Sequence, residues 1–317
     1  MYVDLHVHLR GTIAPATVNR LARRNGVAIR EGTLRAPGYG WHDFPSFLRV
    51  YDEVAAAIRT ARDIEEVTYE HLVRVGCAGT AYVEFMLSPP HERRVGISFA
   101  DQLAAVDRAA DRARELTGIE CCVIATAVRQ LGPDAAIDSA QIAIACRSPR
   151  LVGFGLTGNE RMHDAADFRP AFAIARSEGL KATAHAGEHL GPETILPAIE
   201  ALGLDRVGHG VRAAESQAVM AAVARLGVPL EVCLTSNIAL GVCSDIGEHP
   251  IAALAEAGCV LTLGTDDPGF FSTTPAREYE LAKRAISDPN IEARITRAAI
   301  AAAFCDETTK ARLLGRL

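Results

Sequence analysis

The sequence predicts an α/β protein: a (β/α)8 barrel of the TIM type with extra helices after the first βα unit. Three observations carry this. Eight short apolar segments of strand length recur along the chain, helical patterns separate them, and clusters of His, Asp and Glu follow the strand ends. In such a barrel the strand C-termini converge on one face, where active sites lie. At 317 residues and 49% hydrophobic content, residues 1–317 are expected to form one barrel domain.

The first strand covers 3–8. Successive side chains alternate across a strand, so His6 and His8 project from the same face, as two imidazoles sharing a metal must. The first helix ends near Gly26. About 50 residues then precede the next strand, far more than a plain repeat needs. Residues 31–41 hold glycines and a proline and read as loop. Phe44, Phe47, Leu48 and Tyr51 recur at helical spacing, and 64–75 reads as another helix. This insertion is either extra packing over the barrel or a lid over the pocket. The remaining strands are expected at 80–86, 120–127, 151–156, 181–185, 206–209, 229–233 and 259–264. Between them, Asp167 is expected to cap a helix stopped by Gly179, Pro192 to open one ending near Gly203, and a helix over 250–257 to end at Gly258.

The polar clusters fall at strand ends. They are His185-Ala186-Gly187-Glu188, Gly208-His209-Gly210 and Thr265-Asp266-Asp267-Pro268. His6, His8, His185 and Asp266 make a nitrogen and oxygen donor set suited to zinc. Taken singly, Glu188 reads as a loop acid, His209 as a turn residue and Asp266-Asp267 as a turn or helix cap. Their joint appearance on successive strand ends of one barrel favours a site. His42, His71, His91, His163, His189 and His249 lack such a context and read as structural or exposed.

Composition excludes several classes. Net charge is −6, with no basic face for nucleic acid and no Lys/Arg run for a membrane surface. No apolar stretch approaches 18 residues and no leader pattern precedes the first strand, so a cytoplasmic location is expected. The eight cysteines lack C-x-x-C spacing and read as buried free thiols. The H-x-E with P-C-x-x-C pair of cytidine-type zinc deaminases is absent. The strand at 151–156 contains no lysine to bridge two metals, and Lys181 begins the next strand far from its ligand end, so one metal is favoured. A structural zinc in a non-catalytic protein would leave Glu188 and His209 without a use, and such sites are generally Cys-rich. No feature specifies an oligomeric state.

With these residues in view, the chain resembles the adenosine deaminase family of the amidohydrolase superfamily. The likeness runs in order through His6 to Gly11, Gly158 to Glu160, His185-Ala186-Gly187-Glu188, Gly208-His209-Gly210, Cys233 with Thr235-Ser236-Asn237, and Thr265-Asp266-Asp267-Pro268. The resemblance implies that His6, His8, His185 and Asp266 hold one Zn2+ per chain. It implies that Glu188 meets purine N1, His209 neighbours the attacking water, Asp267 contacts N7 and the Gly158 backbone contacts N3. The expected reaction is hydrolytic deamination of a 6-aminopurine nucleoside, adenosine to inosine first. Adenine, or a 5′-modified adenosine such as aminodeoxyfutalosine, is the alternative small-molecule purine substrate.

The chemistry asks for these residue types. Zinc lowers the pKa of water towards about 7. Attack at C6 breaks aromaticity, and a carboxylic acid at Glu188, its pKa raised by burial, relieves the charge by protonating N1. His209 either orients or deprotonates the water. Asp266 has one oxygen for the metal and one for the water. Asp267 must be protonated, or face a protonated N7. The sequence departs from the family at Arg10, where several members carry an acid that meets the ribose; Arg10 either pairs with a protein acid or selects an anionic 5′ group. Asn159 stands where an acid is frequent, and Leu234 where proline is usual.

Overall fold

The computed structural model describes residues 1–35, 38–93, 95–146 and 148–317. Eight parallel strands form a nearly closed barrel in chain order: β1 (Tyr2–His8), β2 (Thr80–Leu87), β3 (Glu120–Val128), β4 (Leu151–Thr157), β5 (Lys181–Ala186), β6 (Arg206–His209), β7 (Leu230–Val232) and β8 (Leu261–Leu263). Each matches an expected segment to within two residues at either end. Closure is made beyond β8, where the Asp266 N–H donates to His6 O and the His8 N–H to Asp266 O, each at 2.8 Å. The residues expected to bind metal thus also close the barrel.

Helix ends follow the sequence with two corrections, both at starts: Pro192 opens a 3-10 turn, Pro192–Thr194, and the helix expected to begin there runs Ile195–Leu202. Gly203 and Gly258 sit in left-handed conformations at or just after helix ends, at φ 62° and 83°. The cap expected at Asp167 is Asp164 instead. A 3-10 turn, Ala165–Phe168, precedes the helix Arg169–Ser177, and Asp167 returns its carboxylate to the Asp164 N–H at 3.1 Å.

The insertion follows α1 (Pro15–Asn25). Residues 31–41, expected as loop, include an antiparallel ribbon pairing Leu34–Arg35 with Gly38–Tyr39; Ala36 and Pro37 lie outside the described residues. Next come α2 (Phe44–Ala55), opened by an Asp43/Ser46 capping box, and α3 (Ala61–Cys77). Both readings of this segment find support. Phe47 stacks on Phe271 at 5.5 Å and Tyr39 packs on Phe270 at 4.3 Å, just after Asp266-Asp267. Phe44, Leu48 and Tyr51 line the cavity above the strand ends. Among the described residues no helix is long and apolar enough to cross a membrane. All eight cysteines are free; Cys77 is exposed and Cys146 and Cys243 are half-buried, where the sequence predicts buried thiols.

The barrel interior is not uniformly apolar. Arg206 is fully buried, its Nε on Glu231 Oε1 at 2.5 Å and a terminal nitrogen on Glu84 Oε2 at 2.6 Å. Its other terminal nitrogen donates to Ala302 O, and its guanidinium lies 3.5 Å from the Phe304 ring centre. Thr183 donates to Glu231, and Tyr82 and the Phe304 N–H donate to Glu84. Burying three charges costs desolvation, and such a set stays favourable only while every member is paired. Arg206→Met leaves two carboxylates without their cation. The expected loss is about 3–5 kcal/mol of unfolding free energy in urea denaturation; a change under about 0.5 kcal/mol would show that the charges are not coupled to folding.

Candidate active site

The sequence-predicted residues meet at the strand C-termini. His6 and His8 end β1, His185 lies in β5, His209 ends β6, and Asp266 and Asp267 follow β8. Ring centres are 4.8 Å apart for His6 and His185, and 5.5 Å for His8 with each of them. Asp266 Oδ1 lies 3.2 Å from His8 Nε2 and 3.9 Å from His6 Nε2. Gly208 lets the imidazoles approach: a Cβ there would come within 3.0 Å of His6 and 3.1 Å of His185. Gly11 does the same for Asp267, whose Oδ1 would lie 1.9 Å from an added Cβ. His209 and Asp266 hold φ values of 60° and 58°, costly for non-glycine residues and typical of functional sites.

The donor set fits a metal. The Nε2 atoms of His6 and His185 are buried with no hydrogen-bond partner among the described residues, a costly state unless something else satisfies them. His6 Nδ1 lies 2.6 Å from Glu231 Oε2. Burial opposes ionisation of Glu231, but Arg206 and His6 outweigh it and hold its pKa down to about 2. Glu231 is therefore an acceptor, His6 Nδ1–H the donor, and the His6 Nε2 lone pair faces the site. Burial, then the neighbouring imidazoles, push His185 well below its usual range, keeping it neutral. Burial also opposes a charged His8, yet Asp267 and Asp266 prevail and hold it up to about 9. The surroundings favour positive charge.

Ligating atoms of His6, His8 and His185 lie within 4.8 Å of one another, as do those of His8, Asp266 and Asp267. Two rival groups share the cluster: His6, His209 and Cys233, and His185, Glu188 and His209. The Cys233 thiol is pushed well above its usual range, by burial first and Asp266 second, and it faces Glu231 O at 3.6 Å.

Around this cluster stand groups suited to acid–base work. Glu188 Oε2 is 3.6 Å from His209 Nε2 and 3.8 Å from His185 Nδ1. Burial, reinforced by Asp266 and Glu160, raises Glu188 well above the usual carboxyl range, which favours its proton-carrying form. Burial and Asp266 do the same to Asp267. Asp266 stays ionised despite burial because His8 hydrogen-bonds it, and Ser236 Oγ donates to its other oxygen at 2.6 Å. Burial brings His209 down to about 3.

A cavity of about 580 Å3 opens beside these residues. Its lining includes His8, Arg10, Gly158, Glu188, Asp267 and Gln130. Arg10 sits in the 3-10 turn Leu9–Thr12, directly after β1. Gln130 Oε1 accepts from the Asn159 N–H, beside Gly158. Among the described residues no lysine lines the cavity, and Lys181 pairs with Asp205 at the far end of β5.

Sequence reasoning missed several members. His189, read as structural or exposed, lines the cavity, has its Nε2 3.5 Å from Glu188 Oε1, and meets the Phe44 ring at 4.9 Å. His91 also lines the cavity. Glu160 was visible only as part of a motif. Its Oε2 accepts from the main-chain N–H groups of Glu188, His189 and Leu190 at 3.1, 2.5 and 3.0 Å, fixing the turn that carries Glu188. Arg129 donates to His185 O at 3.0 Å from the other side.

Comparison with known proteins agrees over the full length. The adenosine deaminase family model matches residues 2–317. An adenine deaminase from Rhizobium leguminosarum bv. trifolii is 44% identical over 317 residues, covering 99% of this chain and 98% of the relative. The crystal structure of adenine deaminase from Arthrobacter aurescens superposes with a TM-score of 0.90 at 26% identity, over 99% of this chain and 97% of that one. An amidohydrolase from Burkhoderia ambifaria with bound Zn gives 0.89 at 25% identity, over 99% and 88%.

The anchoring by Glu160 has a measurable consequence. Glu160→Ala strips one acceptor from three amides, and hydrogen bonds to a charged group contribute about 1.5–3 kcal/mol each. Hydrogen exchange should show the amides of Glu188, His189 and Leu190 losing protection while those of β1 keep theirs. Unchanged protection at 188–190 would mean that the turn stands without Glu160.

Proposed function

We propose that this chain, which belongs to the adenosine deaminase family, hydrolyses the exocyclic C–N bond of adenine, releasing ammonia and the 6-oxopurine. Its broader class is a hydrolase of C–N bonds in cyclic amidines. One Zn2+ per chain is proposed at His6, His8, His185 and Asp266, where zinc would supply an activated water near neutral pH. The observation that carries the reading is a buried carboxyl, Glu188, set beside those donors at 3.8 Å from His185 and 3.6 Å from His209.

The chain's own residues divide the work. Glu188 donates its proton to purine N1 as C6 becomes tetrahedral, so charge does not accumulate on the ring. Asp266, ionised and braced by Ser236, keeps one oxygen towards the metal ligands and the other on the Ser236 hydroxyl. Asp267, held protonated, donates to N7. The Gly158 main chain is assigned to N3 at the cavity wall. Phe44, Leu48 and Tyr51 of α2 cover the apolar side and limit water access.

Adenine is placed ahead of adenosine, the first choice from sequence, because relatives 40–44% identical over almost their whole length carry the name adenine deaminase. Adenosine and 5′-modified adenosines become the comparison substrates, and Arg10 the residue to watch with the anionic ones.

Ammonia release measured with adenine, adenosine and a 5′-phosphorylated adenosine tests this. The highest kcat/KM is expected for adenine, with loss on chelation and recovery with zinc. Glu188→Gln should lower kcat by at least about 10²-fold with metal content unchanged. Activity that survives chelation, or near-normal turnover by the Gln variant, would overturn the mechanism; preference for adenosine would overturn the substrate.

A further inference from the structure

We infer that the main-chain N–H of Ile251, His249 and Asn237 form a buried hydrogen-bond relay that locks His209 in the tautomer with its proton on Nε2. His209 then presents a donor, and no lone pair, to the reacting oxygen. The second statement rests on the deaminase reading above; the relay does not.

The relay follows from the direction of each bond. A main-chain N–H can only donate, so Ile251 N, 3.2 Å from His249 Nδ1, makes that nitrogen an acceptor. Burial holds His249 down to about 4, leaving a neutral ring whose single proton is on Nε2. That Nε2 lies 3.2 Å from Asn237 Oδ1 and donates to it. Asn237 is thereby oriented with Nδ2 towards His209 Nδ1 at 3.4 Å. An amide Nδ2 has only protons to offer, so His209 Nδ1 accepts. A doubly protonated His209 would set two donors against each other, so the ring is neutral and its proton is on Nε2.

The relay is rigid. His209 and Asn237 are fully buried and His249 is 4% exposed. The Asn237 carbonyl accepts from Val242 and Cys243 at 2.8 and 3.1 Å, and its N–H donates to Cys233 O at 2.9 Å. His6 shows the opposite arrangement, with Nδ1–H given to Glu231 and Nε2 left as a lone pair. One set of neighbours prepares a metal ligand, the other a hydrogen-bond donor. His209 therefore stabilises negative charge on the oxygen as the tetrahedral centre forms, and it is not the base that first takes the water's proton. Asn237 and His249 are positioning residues that act through it.

The test is a long-range 1H–15N correlation spectrum of the full, zinc-loaded chain with 15N-labelled histidine. His209 and His249 should each show a bare Nδ1 and a protonated Nε2, and His6 a protonated Nδ1. A protonated Nδ1 on His209 overturns the inference, whatever the variants do. Asn237→Asp replaces the donor by an acceptor; His209 should then take a proton on Nδ1, and kcat should fall about 10²-fold, the scale of a lost acid–base or oxyanion contact, with KM within about threefold. His249→Gln keeps an N–H for Asn237 and should preserve the wild-type His209 signature; a changed signature counts against the relay. Adenine turnover by the same samples reports separately. The predicted tautomer without turnover defeats the deaminase reading alone, and turnover with Nδ1–H on His209 defeats this inference alone.

Discussion

The hydrogen bond from His6 Nδ1 to Glu231 is the contact on which the rest of the site depends. It settles which nitrogen of His6 has a lone pair, and so whether that ring can be a ligand at all. Glu231 does this only as a carboxylate, and it stays one because Arg206 lies against it. Arg206 is in turn shared with Glu84 across the barrel. The charge chain thus spans β2, β6, β7 and β1, tying the barrel's interior to the donor set at its mouth. Buried ion pairs contribute little net stability compared with apolar packing. What this one contributes is a defined orientation where an apolar core would leave the imidazole free to turn.

Around that fixed point the site gathers groups in different protonation states. Asp266 is held well below the usual carboxyl range while Asp267 and Glu188 are pushed above it, although all three are buried. The neighbours explain the division. Asp266 has His8 and Ser236 as donors, whereas Asp267 Oδ1 has no partner and Glu188 faces other acids. Groups pushed apart in this way can serve as ligand and as proton donor at one pH. The left-handed backbone at His209 and Asp266 is a local cost, offset by main-chain bonds such as Asp266 N–H to His6 O.

Much of this was legible in the sequence because two periodicities carry it. Apolar runs located all eight strands, and alternation put His6 and His8 on one face. Strand ends located His185, His209 and Asp266, because a barrel gathers them. The supporting residues were illegible for a related reason. Glu84, Arg206 and Glu231 interrupt apolar strands singly, and periodicity says which face a residue occupies but not which residue faces it across the barrel. Glu160 acts through main-chain groups distant in sequence, and His249 through the side chain of Asn237. Asp164 displaced Asp167 as a cap because a 3-10 turn precedes the helix, which no apolar spacing reveals. In the insertion, the helical face of Phe44, Phe47, Leu48 and Tyr51 was clear, but the same face serves packing at Phe47 and cavity lining at its neighbours.

The central claim is that the metal belongs to His6, His8, His185 and Asp266, and not to the overlapping set of His6, His209 and Cys233. X-ray absorption spectroscopy of the zinc-loaded chain separates the two directly. The account predicts nitrogen and oxygen neighbours only, at about 2.0–2.2 Å, with an imidazole contribution of three rings. A sulfur neighbour at about 2.3 Å would place the ion on Cys233 and contradict the account.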